Sequence, residues 1–270
     1  MQLTKDITVE DAILCLQHAQ FAEHPRTKRG TELLIEDGTH LNIKSTDTQF
    51  MVSKVKGNRL IIAFPCTQSA TDVMTDLNAR MDDEPFYSGE GGAGGGRGMC
   101  GVHRGFMQAY LSAQRDLLNL VFRMKERRDV FVVGYSLGGA LSTLCAADLA
   151  GMMDVTHISA GSPRVGNARF RNAYNTTVTR NVRMVHALDC YATVPLKELG
   201  FTGRTFEHVG NLVHFDADEI TVRKPRPWYE NLGRWVTKRI SSALGSPLDI
   251  ANAPDHSLSN YLECLRRMLK

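Results

Sequence analysis

Val130-Phe131-Val132-Val133-Gly134-Tyr135-Ser136-Leu137-Gly138-Gly139-Ala140-Leu141 decides how this chain is read. Four apolar residues without Gly, Pro or charge lead in, as in a parallel strand buried on both faces. A tight turn carrying one serine follows. Leu141, Leu144, Cys145 and Leu149 then recur at helical spacing. Strand, sharp serine-bearing turn and small-residue helix form the context that a nucleophile elbow requires. Gly134 and Gly138 flank the serine for steric reasons: side chains there would collide with strand and helix while the serine itself is strained. A Gly-rich turn that merely packs would show the same G-x-S-x-G. The flanks, not the motif, make Ser136 the expected nucleophile.

Working outward, strands and helices alternate through the middle of the chain. Asn58 to Phe64 reads as a buried strand, preceded by strands over Leu41 to Lys44 and Phe50 to Lys56. Phe106 to Arg123 is a long helix with Met107, Tyr110, Leu117 and Val121 on its apolar stripe. Val155 to Ala160 and Val182 to Ala187 are further strands. Phe206 to Phe215 and Glu219 to Arg223 read as a late hairpin. Val9 to Ala22 and Leu258 to Leu269 are terminal amphipathic helices. The pattern predicts one α/β domain over 1–270, a mostly parallel central sheet flanked by helices.

Composition narrows the function classes. The chain has 270 residues, 43% hydrophobic and 23% charged, which is an ordinary globular balance and enough for a single large core. A net charge of +3 gives no footprint for nucleic acid. No apolar run is long enough for a transmembrane segment. Met1 to Glu10 is polar and lacks a basic-then-apolar leader. The expectation is a cytoplasmic or membrane-peripheral protein, or a secreted one whose leader has been removed. The six cysteines form no C-x-x-C pair, so free thiols are expected rather than zinc or dithiol chemistry.

Two segments read as insertions. Ser88 to Gly101 carries eight glycines and cannot hold one conformation by itself. It reads as a surface loop, or as the hinge of a cover over about 67–101. The second lies at about 223–248, where Trp228, Leu232, Trp235, Val236, Ile240 and Leu244 share one helical face beside Arg226, Arg234, Lys238 and Arg239. Both tryptophans are here. A basic, Trp-bearing amphipathic helix suits a lipid–water interface, although a helix packed on the core has the same pattern.

A serine hydroxyl needs a histidine to take its proton, and the histidine needs an acid to fix its tautomer. In an α/β-hydrolase the acid and then the base follow the serine in the chain. Asp189 is best placed as the acid, because it follows a strand and so sits at the sheet's carboxyl edge. Asp154 precedes its strand, and Asp216 and Asp218 read as hairpin turn. Among His186, His208, His214 and His256, only His256 sits in a loop after the sheet, just before the last helix. The oxyanion hole is expected from the N–H of Leu137, directly after the nucleophile, and from Thr67, in the loop after the Leu60–Phe64 strand.

These residues resemble the class 3, fungal-type lipases of the α/β-hydrolase superfamily. The resemblance is carried by Gly134-Tyr135-Ser136-Leu137-Gly138-Gly139-Ala140-Leu141 and Val102-His103-Arg104-Gly105-Phe106. Gly161-Ser162-Pro163-Arg164-Val165-Gly166-Asn167, Val185-His186-Ala187-Leu188-Asp189, His208-Val209-Gly210 and Asp255-His256-Ser257-Leu258 with Tyr261 add to it. It implies an α/β-hydrolase fold and hydrolysis of lipid esters, typically acylglycerols, without metal or organic cofactor. Phospholipase and short-chain carboxylesterase are the neighbouring activities, and a non-catalytic lipase-like scaffold is the reading from another class. It assigns Ser136, Asp189 and His256 to the triad, Thr67 to the oxyanion hole, and Val73, Met74 and Leu77 to a lid. Two positions depart from the family pattern. Pro65-Cys66 stands where Arg-Gly is usual, and Cys190-Tyr191-Ala192-Thr193-Val194 separate the acid from Pro195.

Overall fold

Leu60, Ile61, Ile62, Ala63 and Phe64 are all buried, so the strand that carries them is covered on both faces. In the computed structural model this strand is β3 (Arg59–Phe64) and lies inside a seven-stranded sheet. The structure describes residues 1–23, 25, 33–66, 81–85, 99–124, 126, 129–195, 205–216 and 254–270. Thr67, Val73, Met74, Leu77, Trp228, Trp235 and most of the Gly-rich segment lie outside them.

The sheet begins with an antiparallel pair, β1 (Ile35–Ile43) and β2 (Thr48–Val55), and β2 pairs antiparallel to β3. From there it is parallel: β3, β6 (Asp129–Tyr135), β7 (Val155–Ala160), β8 (Arg180–His186) and β9 (Leu212–Phe215), in that order. A separate antiparallel pair joins β4 (Met81–Pro85) to β5 (Met99–His103). The architecture is the α/β-hydrolase type, a mostly parallel sheet between helices.

Alternation along the strands feeds two cores. Leu60, Ile62, Phe64, Val130 and Val132 point to one face, where α2 (Arg104–Met124), α3 (Leu137–Ala150) and α4 (Ala168–Thr177) cover them. Ile61, Ala63, Phe131, Val133, Ile158 and Met184 point to the other, under α1 (Val9–Glu23) and α5 (Leu258–Arg267). Each fully buried Leu, Ile or Phe contributes about 1.5–3 kcal/mol. α3 is buried nearly all round, and Leu137 to Ala147 are uniformly inside. That explains its small residues: a helix wedged between a sheet and two other helices has no polar face to spare.

Of the expected late hairpin, Leu212–Phe215 forms β9, which pairs in parallel with β8 through Arg183↔Leu212 to His186↔Phe215; its expected partner, Glu219 to Arg223, lies outside the described residues. Asp216 follows the end of β9. Part of the expected Gly-rich loop is strand as well, since Met99 to Gly101 pair with Asp83 to Pro85 in the β4–β5 ladder. α4 has no counterpart among the sequence expectations. Only Phe170 and Tyr174 on it are buried, too few to mark a period.

Candidate active site

Three neighbouring parallel strands end alike. The residue after each of β6, β7 and β8 makes one last hydrogen bond to the neighbouring strand and then turns away with a positive φ. Ser136 N–H donates to Ala160 at 3.0 Å, Gly161 N–H to Met184 at 3.0 Å and Ala187 N–H to Phe215 at 2.7 Å. Their φ values are 58°, 58° and 43°. Positive φ is costly for Ser and Ala. Packing holds it here, and it turns the following side chains up at the carboxyl edge, where α/β sheets place ligands.

At the first of these turns the glycines are enforced by contact. A Cβ on Gly138 would meet the carbonyl oxygens of Phe64 and Pro65, both at 2.3 Å, and one on Gly134 would meet the Gly138 carbonyl oxygen at 2.0 Å. Ser136, with no exposed surface, precedes the first residue of α3.

Ser136 Oγ lies 2.7 Å from His256 Nε2. His256 Nδ1 lies 2.8 Å from each carboxylate oxygen of Asp189. Nδ1–H then donates to the carboxylate and leaves the Nε2 lone pair facing the serine, the tautomer a general base needs. Asp189 has no exposed side-chain surface. It also accepts the Tyr191 N–H at 2.9 Å and the Tyr261 O–H at 2.5 Å. Burial, then the neighbouring Asp189, push the Tyr261 phenol far up, so it stays a proton donor to the acid.

The imidazole is also gripped by its faces. The Tyr191 ring stacks on it with centroids 3.6 Å apart and planes 13° from parallel. Tyr135 stacks at 5.0 Å, and its hydroxyl donates to the His256 carbonyl. Gly161 closes the site from below: a Cβ there would lie 2.8 Å from Asp189 Oδ2 and 2.9 Å from His256 Cε1.

The histidines weighed as rivals brace the loop that carries Asp189. His208 Nε2 donates to the Ala192 carbonyl at 2.6 Å and His214 Nε2 to the Ala187 carbonyl at 2.9 Å. His186 Nδ1 donates to the Asp255 carbonyl at 3.2 Å, and the Asp255 carboxylate accepts the Leu188 N–H at 3.3 Å, tying the two loops together. Burial, then the charges of Arg183 and Arg164, hold His208 well below the usual imidazole range. Buried Arg164 donates from its backbone to Val194 at 2.8 Å and from its guanidinium to Pro195 at 2.8 Å.

Cys66 lies just beyond β3 and packs against the core on the α3 side of the sheet. Burial raises its thiol's pKa, and Ser136 and the Leu137 backbone pull it part of the way back. Among the described residues, which include all six cysteines, no disulfide is formed. Within the same residues no group of three or more His, Cys, Asp or Glu side chains is arranged to hold a metal ion, and no helix is long and apolar enough to cross a membrane.

The sequence reading missed the roles of Tyr135, Tyr191 and Gly161. Tyr191 had one signal, since it falls where the family pattern is broken.

The profile of the class 3 lipases matches residues 61–199. The chain is 29% identical over 227 residues to the chloroplastic phospholipase A(1) DAD1 of Arabidopsis thaliana, covering 78% of this chain and 50% of that protein. It is 30% identical over 165 residues to a lipase of Rhizomucor miehei, covering 57% of this chain and 43% of that one. The chain thus spans about half or less of the length of these curated relatives. In structure it is similar to the mono- and diacylglycerol lipase of Aspergillus oryzae, with a TM-score of 0.65 and 22% identity over 80% of this chain and 82% of that one. The chain belongs to the class 3 lipase family.

Proposed function

We propose that this class 3 lipase hydrolyses carboxylic esters of lipids, with Ser136 as nucleophile, His256 as general base and acid, and Asp189 as the orienting carboxylate. The observation that carries the reading is the unbroken chain of contacts from Ser136 Oγ through the His256 ring to a saturated, buried Asp189.

Ser136 attacks the ester carbonyl as its proton passes to His256 Nε2. The carbonyl oxygen gains negative charge, and the proposed first donor to it is the Leu137 N–H, at the start of α3. Thr67 is the proposed second donor. The protonated His256 returns its proton to the leaving alcohol and an acyl-enzyme remains. Water, deprotonated by the same Nε2, then releases the acid. The faces of Tyr191 and Tyr135 favour the transient imidazolium, because a ring face attracts a cation.

Acylglycerols are the proposed substrates. A phospholipase A1 activity is the second reading, favoured by the Arabidopsis phospholipase A(1), which matches over 227 residues. Hydrolysis of p-nitrophenyl butyrate and palmitate, with and without emulsified lipid, tests the proposal against Ser136→Ala. Activity that depends on Ser136 and rises at the interface is expected. Activity surviving in Ser136→Ala removes the triad reading. Phosphatidylcholine and triacylglycerol emulsions compared side by side separate the two substrate classes.

A further inference from the structure

Beneath the nucleophile turn lies another serine–histidine pair, which the proposed mechanism does not use. Ser142 Oγ lies 3.0 Å from His157 Nε2, and the Tyr174 hydroxyl lies 2.6 Å from His157 Nδ1. All three side chains are buried. His157 is the ladder partner of Val132 and faces the same core, between the sheet and α3. Ser142 Oγ is wedged against β6, 2.5 Å from where a Cβ on Gly134 would stand. The pair is therefore packed into the core rather than open at the sheet's carboxyl edge.

Its hydrogen bonds run in one direction. Burial lowers the pKa of His157 to about 3, so the ring is neutral and carries one N–H and one lone pair. Ser142 Oγ also lies 3.0 Å from the Gly139 carbonyl oxygen, which can only accept. With the proton on Nε2, Tyr174 O–H donates to Nδ1, Nε2–H donates to Ser142 Oγ, and Ser142 O–H donates to Gly139. The other tautomer gives the single Ser142 proton two acceptors to serve. Gly139 passes the constraint on, because its N–H donates to the Ser136 carbonyl at 2.9 Å. That carbonyl and the Leu137 N–H share one planar peptide. Thr143 O–H donates to the same Gly139 carbonyl at 2.7 Å, but from the next turn of α3 itself. Ser142 instead ties that carbonyl through His157 to β7 and α4. A buried polar network that is fully satisfied fixes one arrangement of the elements it joins.

Resting on Ser136 as nucleophile and the Leu137 N–H as oxyanion donor, we propose that His157 and Ser142 are positioning residues of the oxyanion hole: they hold the 136–137 peptide so that its N–H meets the developing negative charge. They act through Gly139 and touch neither substrate nor His256.

Ser142→Ala removes one oxygen, keeps a strong helix former and cuts the chain at Gly139. On p-nitrophenyl butyrate kcat should fall about tenfold with KM unchanged, less than the loss of about a hundredfold or more when an oxyanion donor is removed outright. Fluorophosphonate labelling of Ser136 should slow by a similar factor, because the phosphoryl oxygen uses the same hole. His157→Leu should repeat the loss. His157→Gln, whose amide can donate to Ser142 and accept from Tyr174, should keep most of kcat. Leu149→Ala, buried at the far end of α3, is the control, since its cavity costs stability without cutting the chain. A kcat loss in Ser142→Ala no greater than in Leu149→Ala overturns the inference, and so does equal kcat in His157→Gln and His157→Leu. If the variants do not fold, wild type labelled with 15N-histidine decides: His157 carrying its proton on Nε2 supports the chain, and on Nδ1 overturns it. Activity surviving in Ser136→Ala sinks the triad and the inference with it, whereas Ser136-dependent activity indifferent to Ser142 and His157 sinks the inference alone.

Discussion

Tyr261→Phe removes one oxygen atom and tests how the acid is held. That oxygen donates to Asp189 Oδ2 at 2.5 Å and accepts the His186 N–H at 3.1 Å, and Tyr261 is wholly buried. A hydrogen bond to a charged group is worth about 1.5–3 kcal/mol, and a buried N–H left without a partner costs about 1–3 kcal/mol. The Phe ring keeps the packing, so the lower half of each range applies and the sum is about 3 kcal/mol. At about 2–4 °C per kcal/mol for a chain near this size, Tm should fall by about 8 °C. Asp189 keeps His256 and the Tyr191 N–H, so the triad is loosened rather than dismantled. We expect kcat to drop by about tenfold, or 1.4 kcal/mol, with KM unchanged. Urea and thermal unfolding, with initial rates on p-nitrophenyl butyrate, measure both. A Tm within about 2 °C of wild type together with an unchanged kcat would refute the argument that this phenol supports the acid.

Gly161→Ala puts a methyl 2.8 Å from Asp189 Oδ2 at a residue with φ of 58°; the variant should fold less stably and lose at least about tenfold in kcat, and wild-type kinetics would show that the site yields more than its contacts imply. Tyr191→Leu should lower kcat by about tenfold while Tyr191→Phe retains most of it, because the ring face rather than the hydroxyl stacks on His256; equal losses in both would show that the hydroxyl matters more than the stack. Burial lowers the pKa of His18 to about 4 and that of His157 to about 3. The unfolded chain therefore binds protons first as pH falls below about 6.5, and stability drops by about 2 kcal/mol between pH 6 and 5. Urea midpoints at pH 7, 6 and 5 report this, and a flat profile contradicts it.

What could be read from sequence was whatever depends on neighbours in the chain. The apolar run of β6, the glycines of the turn and the small residues of α3 are local constraints, and the expectation for Ser136 followed from them. Asp189 and His256 were expected from the order of elements, and the structure brings both together with Ser136. Helix α4 was invisible because Phe170 and Tyr174 anchor it alone. The parallel pairing of β9 with β8 was not legible, because strand direction is set by the crossover, not by residues inside the strand. The grip on His256 by Tyr135 and Tyr191 joins residues 121 and 65 positions away from it. No pattern within one element encodes such a contact.

The base reaches the serine across 120 residues of sequence and the acid across 67. It is seated by α5, whose Leu258, Tyr261, Leu262 and Leu265 pack into the same core as Ile7, Ala12 and Leu16 near the other end of the chain. During synthesis, a nascent chain that has emerged to Phe215 already holds every described strand of the sheet, with Ser136 and Asp189, but not His256. α1 and α5, which lie on either side of the strands in chain order, close the site together. On the proposed triad, hydrolysis begins only once α5 has docked and seated His256.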